Sequence, residues 1–214
     1  MENLPSLEPI ARDRAVAIVR TTSEESARLA ARAVIDGGMR VVEITMNTPG
    51  ALAVIAELAT MSNILPGAGT VTDVATADRC LDAGARFIVS PTTDPVVISH
   101  VKKRGALMIP GAFSPTEVLA AWRAGADVVK IFPAVCVGGP TYFRLLAGPL
   151  PQVRLLPTGG VTLDDAVRYL EAGAFAVGLT SALFPAEVLA RGDFDSVRTA
   201  ARALMTRLGT LVEP

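Results

Sequence analysis

The 214-residue chain is half hydrophobic and 19% charged, with a net charge of −1 and a mean hydropathy of +0.44. That balance leaves no electrostatic footprint for nucleic acid or an anionic membrane, no apolar run reaches membrane-spanning length, and residues 1–9 lack a signal-peptide core, so a cytoplasmic protein is expected. The length suits one domain over 1–214 with one core. A single histidine, His100, and two cysteines outside any metal or disulfide spacing, Cys80 and Cys136, argue against His-dependent triads, His-rich metal sites and disulfide scaffolds.

Residues 15–19 read as a first strand ending at Arg20, followed by an amphipathic helix over 23–36. The second strand, 41–44, carries Glu43 among β-branched residues and leads through Thr45 and Asn47 to a helix over 49–60. Strand 64–67 runs into Thr70 and helix 73–83; strand 87–89 runs into Ser90-Pro91-Thr92 and helix 94–104. Strand 107–109 is followed by helix 115–124, and strand 128–131, bearing Lys130, by helix 142–147. Strand 154–156 precedes Thr158-Gly159-Gly160 and helix 163–172; strand 176–179 precedes Thr180-Ser181 and helix 194–208. These are eight strand–helix units with continuously apolar strands, the pattern of a parallel sheet buried on both faces and, at this number, of a (β/α)8 barrel.

Punctuation repeats with the units. Gly37, Gly84, Gly125 and Gly173 end helices before even-numbered strands and fit left-handed C-caps. Thr72-Asp73, Ser114 with Glu117, and Thr162 with Asp165 read as helix N-caps, the last two at capping-box spacing. The repeat suits a barrel built from four (βα)2 quarters.

In such a fold the chemistry sits at the C-terminal ends of the strands. Lys130 stands there between apolar neighbours; an amine removed from water loses its proton more readily and becomes a nucleophile toward ketones. Glu43, also within an apolar strand, is read as a general acid/base, as a structural ion pair with Lys130, or as both. Consecutive glycines at 159 and 160, after the seventh strand, let backbone N–H groups converge on a phosphate, and the Ser181 hydroxyl can join them. His100 and the pair Asp164-Asp165 read as surface charge, Trp122 as packing, and Cys136 as lacking an activating partner.

With these residues in order, the sequence resembles the 2-keto-3-deoxy-6-phosphogluconate/4-hydroxy-2-oxoglutarate aldolase family, over about residues 15–208. The motifs that carry the resemblance are Val42-Glu43-Ile44-Thr45, Gly67-Ala68-Gly69-Thr70, Phe87-Ile88-Val89-Ser90-Pro91, Pro110-Gly111, Val129-Lys130-Ile131-Phe132-Pro133 and Pro157-Thr158-Gly159-Gly160. The resemblance implies a Schiff-base lysine at Lys130, an acid/base at Glu43, and a pyruvyl end lined by Thr70, Pro91 and Phe132. It further implies a phosphate held by Gly159, Gly160 and Ser181, with Thr158 on the substrate chain. It implies a homotrimer, a phosphorylated 2-keto-3-deoxy sugar acid as substrate, and no cofactor or metal beyond the covalent imine on Lys130.

One departure stands out. Many gluconate-type members carry a carboxylate-holding arginine four residues after the glutamate; here that position is Asn47. A carboxylate in a dry pocket needs a cation, and Arg20 is expected to supply it from the first strand. Asn47-Thr48-Pro49 resembles galactonate-type members and Thr158 gluconate-type ones; the gluconate substrate is favoured, with the galactonate epimer and 4-hydroxy-2-oxoglutarate as alternatives. Two readings outside the family's chemistry are a phosphosugar epimerase or isomerase and a non-catalytic phosphosugar-binding barrel.

Overall fold

The computed structural model describes residues 6–209; the first five residues, part of the stretch read as lacking a signal-peptide core, lie outside them. The chain alternates strand and helix. In order these are α1 (Glu8–Asp13), β1 (Ala15–Val19), α2 (Glu24–Asp36), β2 (Val41–Thr45), α3 (Ala51–Ala59), β3 (Leu65–Gly69), α4 (Val74–Asp82), β4 (Phe87–Val89), α5 (Pro95–Lys103), β5 (Leu107–Ile109) and β6 (Gly111–Ala112). There follow α6 (Pro115–Arg123), β7 (Val129–Ile131), a 3-10 turn (Ala134–Val137), α7 (Pro140–Ala147), β8 (Leu155–Pro157), α8 (Leu163–Glu171), β9 (Val177–Leu179), α9 (Ala186–Ala190) and α10 (Phe194–Gly209). Among the described residues no helix is long and apolar enough to cross a membrane.

All strand pairs are parallel. They form a six-stranded sheet in the order β5-β4-β3-β2-β1-β9 and a three-stranded sheet in the order β6-β7-β8. Pro110, which has no N–H to give the ladder, separates β5 from β6, so the expected fifth strand is two short pieces. The sheets are tied at both margins. Asp127 N–H donates to Met108 O at 2.9 Å and Lys130 N–H to Pro110 O at 2.9 Å; Phe175 N–H donates to Leu155 O at 2.8 Å, and Thr158 bridges Gly178.

The buried apolar residues fall into two sets. One joins the helices to the outer sheet face through alternate strand residues such as Ala17, Val42, Ile88, Val129 and Leu155. The other contains the intervening residues, Val16, Ile18, Val41, Phe87, Ile109, Val128 and Leu156, closed at one end by Ile10 of α1. Residues of both sheets meet in this inner set, so the parallel sheet is curled around it. Every side chain at the period-two positions of β1 through β9 is thereby covered on one face or the other.

Several sequence expectations need correction. Gly37 is not the left-handed cap of α2: its φ is −75°, and Gly38 takes the left-handed turn at φ +105°. A Cβ on Gly37 would lie 2.6 Å from Ala201 Cβ, so that glycine serves the close approach of α10. Gly84, Gly125 and Gly173 do turn left-handed, at φ +101°, +106° and +98°. The N-caps stand where expected, at Asp73, Ser114 with Glu117 as a full capping box, and Thr162. His100 is not merely solvated; its Nε2 lies 2.8 Å from Asp78 Oδ1. Trp122 packs under the Arg154 guanidinium, 5.2 Å from the ring centroid.

Candidate active site

The two-residue period of the strands selects what faces the inner core. Val41 and Val128 belong to the inner apolar set, so Glu43 and Lys130, two residues on, face the same way one layer nearer the strand C-termini. The ladder aligns Glu43 with Ile18 and Gly67, and Lys130 with Gly111 and Leu156. Both are buried, with 2% and 7% of their surface exposed. One carboxylate and one amine thus sit directly above the inner set of apolar side chains.

Each is pushed toward its neutral form. Burial raises the Glu43 carboxyl above the usual carboxylate range, against the opposing pull of Lys130 and, more weakly, Arg20. Burial lowers the Lys130 amine below its ordinary 10.5; Glu43 pulls it back up and Arg20 pushes it further down. Neither a hydrogen bond nor a salt bridge joins Lys130 to Glu43, so the expected structural ion pair is absent and the two interact through space. Lys130 Nζ lies 4.9 Å from the centroid of the Phe132 ring, whose face attracts the charged form. An amine free of a direct ionic partner, with a lowered pKa, is suited to add to a carbonyl. A carboxyl with a raised pKa beside it is suited to hold and pass on a proton.

The remaining candidates surround this pair unequally. Arg20 is exposed immediately beyond β1 and acts electrostatically on both Glu43 and Lys130. Thr70, half-buried after β3, holds φ at +61°, an uncommon and strained conformation for a β-branched residue. Pro91 is pressed on β6: a Cβ at Gly111 would lie 2.3 Å from Pro91 O. Thr93 Oγ1 donates to Gly111 O at 2.8 Å and fixes the same loop. Gly159 and Gly160 are both left-handed, at φ +87° and +77°, and close against Phe132 and Val135. They do not open the helix directly; α8 begins at Leu163, where Thr162 already accepts from Asp165 N–H. Thr158 is 3% exposed and its hydroxyl, packed against Gly178, has no hydrogen-bond partner. Asn47 and Ser181 are exposed at the ends of β2 and β9, and no hydrogen bond ties either to the pair. Among the described residues no group of three His, Cys, Asp or Glu is placed to hold a metal ion.

Two roles were not read from the sequence, although Gly69 and Thr45 were named from it. Gly69 leaves room for the carboxylate, since a Cβ there would lie 1.7 Å from Glu43 Oε1. A hydroxyl relay fixes the ends of β1 and β2 together: Thr45 Oγ1 donates to Val19 O at 3.3 Å and contacts Thr48 Oγ1 at 3.2 Å, which accepts from Thr21 N–H at 3.3 Å. Arg20 is therefore flanked by two anchored residues. Three threonines around a strand end were the available signal.

Fold and site together define a parallel α/β protein with a buried amine and a buried carboxyl at the C-terminal ends of its strands. The model of the KDPG and KHG aldolase family matches residues 8–200. A 2-dehydro-3-deoxy-phosphogluconate aldolase of Treponema pallidum is 36% identical over 205 residues, covering 95% of this chain and 98% of that protein. A probable 2-dehydro-3-deoxy-6-phosphogalactonate aldolase of Rhizobium meliloti is 36% identical, covering 86% and 87%. Among solved structures, KDPG aldolase of Legionella pneumophila with pyruvate captured as a covalent carbinolamine superposes with a TM-score of 0.81 at 28% identity, covering 92% of this chain and 96% of that one. A native KDPGal structure gives a TM-score of 0.82 at 30% identity, covering 92% and 96%. The chain belongs to the KDPG and KHG aldolase family.

Proposed function

We propose that the chain cleaves 2-keto-3-deoxy-6-phosphogluconate to pyruvate and glyceraldehyde 3-phosphate through an imine on Lys130. The observation that carries this reading is the buried Lys130 amine, its pKa lowered by desolvation, facing Glu43 without a direct ionic partner. The amine adds to the C2 ketone and loses water to give an iminium. Glu43 takes the C4 hydroxyl proton, directly or through water, as the C3–C4 electrons move into the iminium and form an enamine. The aldehyde leaves, the enamine is protonated at C3, and water releases pyruvate and restores the amine. Arg20 holds the carboxylate in place of an arginine at Asn47, and Thr70, Pro91 and Phe132 line the pyruvyl end. The turn at Gly159 and Gly160, with Ser181, takes the phosphate, whose binding orients the chain. Thr158, by which the chain resembles gluconate-type members, favours the gluconate epimer; its buried hydroxyl has no partner in the protein and is available to a substrate hydroxyl, the kind of group in which the two epimers differ. 4-Hydroxy-2-oxoglutarate is the second substrate by family membership. No metal or organic cofactor takes part.

The ties at both sheet margins support one continuous (β/α)8 barrel, folded as a single domain. The homotrimer and the cytoplasmic location that the family resemblance and composition lead us to expect are part of this proposal. Borohydride reduction in the presence of pyruvate, followed by peptide mapping, tests the reaction and the residue together. The expected product is a stable adduct on Lys130, absent from Lys130→Met. An epimerase, an isomerase or a binding protein leaves no adduct.

A further inference from the structure

We infer that Thr48 is a positioning residue for the substrate carboxylate, acting through Arg20; this rests on the reading above in which Arg20 holds that carboxylate. Besides Glu43 and Lys130, the buried polar side chains at the strand C-termini include Thr21, Thr45 and Thr48, exposed by 7%, 0% and 3%. Hydroxyls so placed must bond within the protein, and these bond to one another and to the backbone on either side of Arg20.

A hydroxyl has a single proton to give, and this fixes the direction of the relay. Thr45 Oγ1 donates to Val19 O at 3.3 Å, so in its 3.2 Å contact with Thr48 Oγ1 it accepts. Thr48 Oγ1 in turn accepts from Thr21 N–H at 3.3 Å. The chain of bonds runs from the N–H that follows Arg20, through the two hydroxyls at the end of β2, to the carbonyl that precedes Arg20. The β1–β2 ladder reaches no further than Val19 opposite Ile44. Side-chain hydroxyls carry the pairing past that point and span Arg20.

Both ends of the relay are seated on helices. Thr21 Oγ1 donates to Ser23 O at 2.8 Å, and Ser23 caps α2. Thr48 N–H donates to Thr45 O at 2.9 Å, and Thr48 O accepts from Ala51 N–H at 3.2 Å, at the start of α3. Asn47 lies inside the turn that the first of these bonds closes, so Thr48 sets both rim residues. Arg20 depends on this support because its side chain is exposed, and among the described residues no hydrogen bond or ion pair holds its guanidinium. Its charge still bears on Glu43 and Lys130. A long side chain loses less freedom on gripping a carboxylate when the peptide groups on both sides of it are already fixed.

The test follows cleavage of 2-keto-3-deoxy-6-phosphogluconate by Thr48→Val, which keeps the shape and loses the relay, and by Thr48→Ser, which keeps the hydroxyl, each alone and with Arg20→Met. Thr48→Val raises KM about tenfold with kcat within about twofold of wild type, and Thr48→Ser stays within about twofold in both. With Arg20 already replaced, Thr48→Val adds less than about twofold, because the two residues act as a unit. The pH limb of borohydride trapping with pyruvate moves upward in Thr48→Val, in the direction expected for Arg20→Met, as the displaced guanidinium bears less on the Lys130 amine. A loss of packing alone leaves that limb in place. Thr45→Val breaks the relay one bond further on and takes the place of Thr48→Val if that protein does not fold. A KM equal to wild type in the folded variant overturns the inference, as do effects of Thr48→Val and Arg20→Met that simply add. An unchanged KM in Arg20→Met overturns the carboxylate clamp and the inference with it, whereas a wild type that forms no adduct overturns the aldolase reading itself.

Discussion

Gly69→Ala is the sharpest probe of how the carboxyl is placed. The added Cβ would lie 1.7 Å from Glu43 Oε1 and 2.5 Å from its Cδ. Real contacts of this kind do not fall below 3.0 Å, so the carboxylate oxygen must retreat by at least 1.3 Å. Glu43 is 2% exposed and cannot swing into solvent; the displacement is taken up inside the site. A shift of this size in a reacting group costs roughly a hundredfold in rate, about 2.7 kcal/mol in the barrier. The three nearest atoms to the new methyl all belong to Glu43 and none to Lys130. Steady-state cleavage of 2-keto-3-deoxy-6-phosphogluconate should therefore show kcat down about a hundredfold, with the borohydride–pyruvate adduct still formed to completion. A folded Gly69→Ala protein that turns over within about threefold of wild type, well short of that loss, refutes the assignment of Glu43 as the proton carrier.

Arg20→Met removes the charge that depresses the Lys130 amine, so the pH limb of adduct formation should move upward; removing Glu43, whose attraction raises that amine, should move it downward. Trapping rates across pH read both signs, and Arg20→Met should also raise KM more than it lowers kcat. Replacing both buried groups by apolar ones, Glu43→Leu with Lys130→Met, should abolish turnover yet stabilise the fold by roughly 1–4 kcal/mol in thermal melts. The lysine part of that gain should shrink as pH approaches 10.5: below it the unfolded chain holds the proton that burial disfavours, so wild-type stability rises with pH across that window. Gly37→Ala should destabilise by about 1–3 kcal/mol through overpacking against α10, measured by denaturant midpoint.

The strands were readable because burial on both faces makes each a continuous apolar run, and each expected run is a strand within one or two residues. Elements without such a signature were not. α9 has five residues and buries none, and α1 has six and is defined by seating Ile10 under the sheet. Gly37 and Gly38 are indistinguishable in sequence; only the approach of Ala201 decides which turns left-handed. In the site, Glu43 and Lys130 stood out as charges within apolar strands, a local anomaly. Gly69 did not, because its role is the absence of atoms near a residue on the neighbouring strand, and the hydroxyl relay from Thr45 did not, because it joins loops distant in sequence.

The inner wall near the strand C-termini is notable for what it lacks. Gly67, Gly69, Gly111 and Gly178 each yield their volume to a neighbour: the Phe87 ring, the Glu43 carboxylate, the Pro91 carbonyl and the Thr158 hydroxyl. A curled sheet of so few strands encloses little more than its own side chains, so vacancy has been made by subtraction. Engineering a roomier binding chamber by trimming these four positions is consequently impossible, since nothing smaller than hydrogen exists. Altered substrate scope must come from the rim, where Arg20, Asn47 and Ser181 stand in solvent.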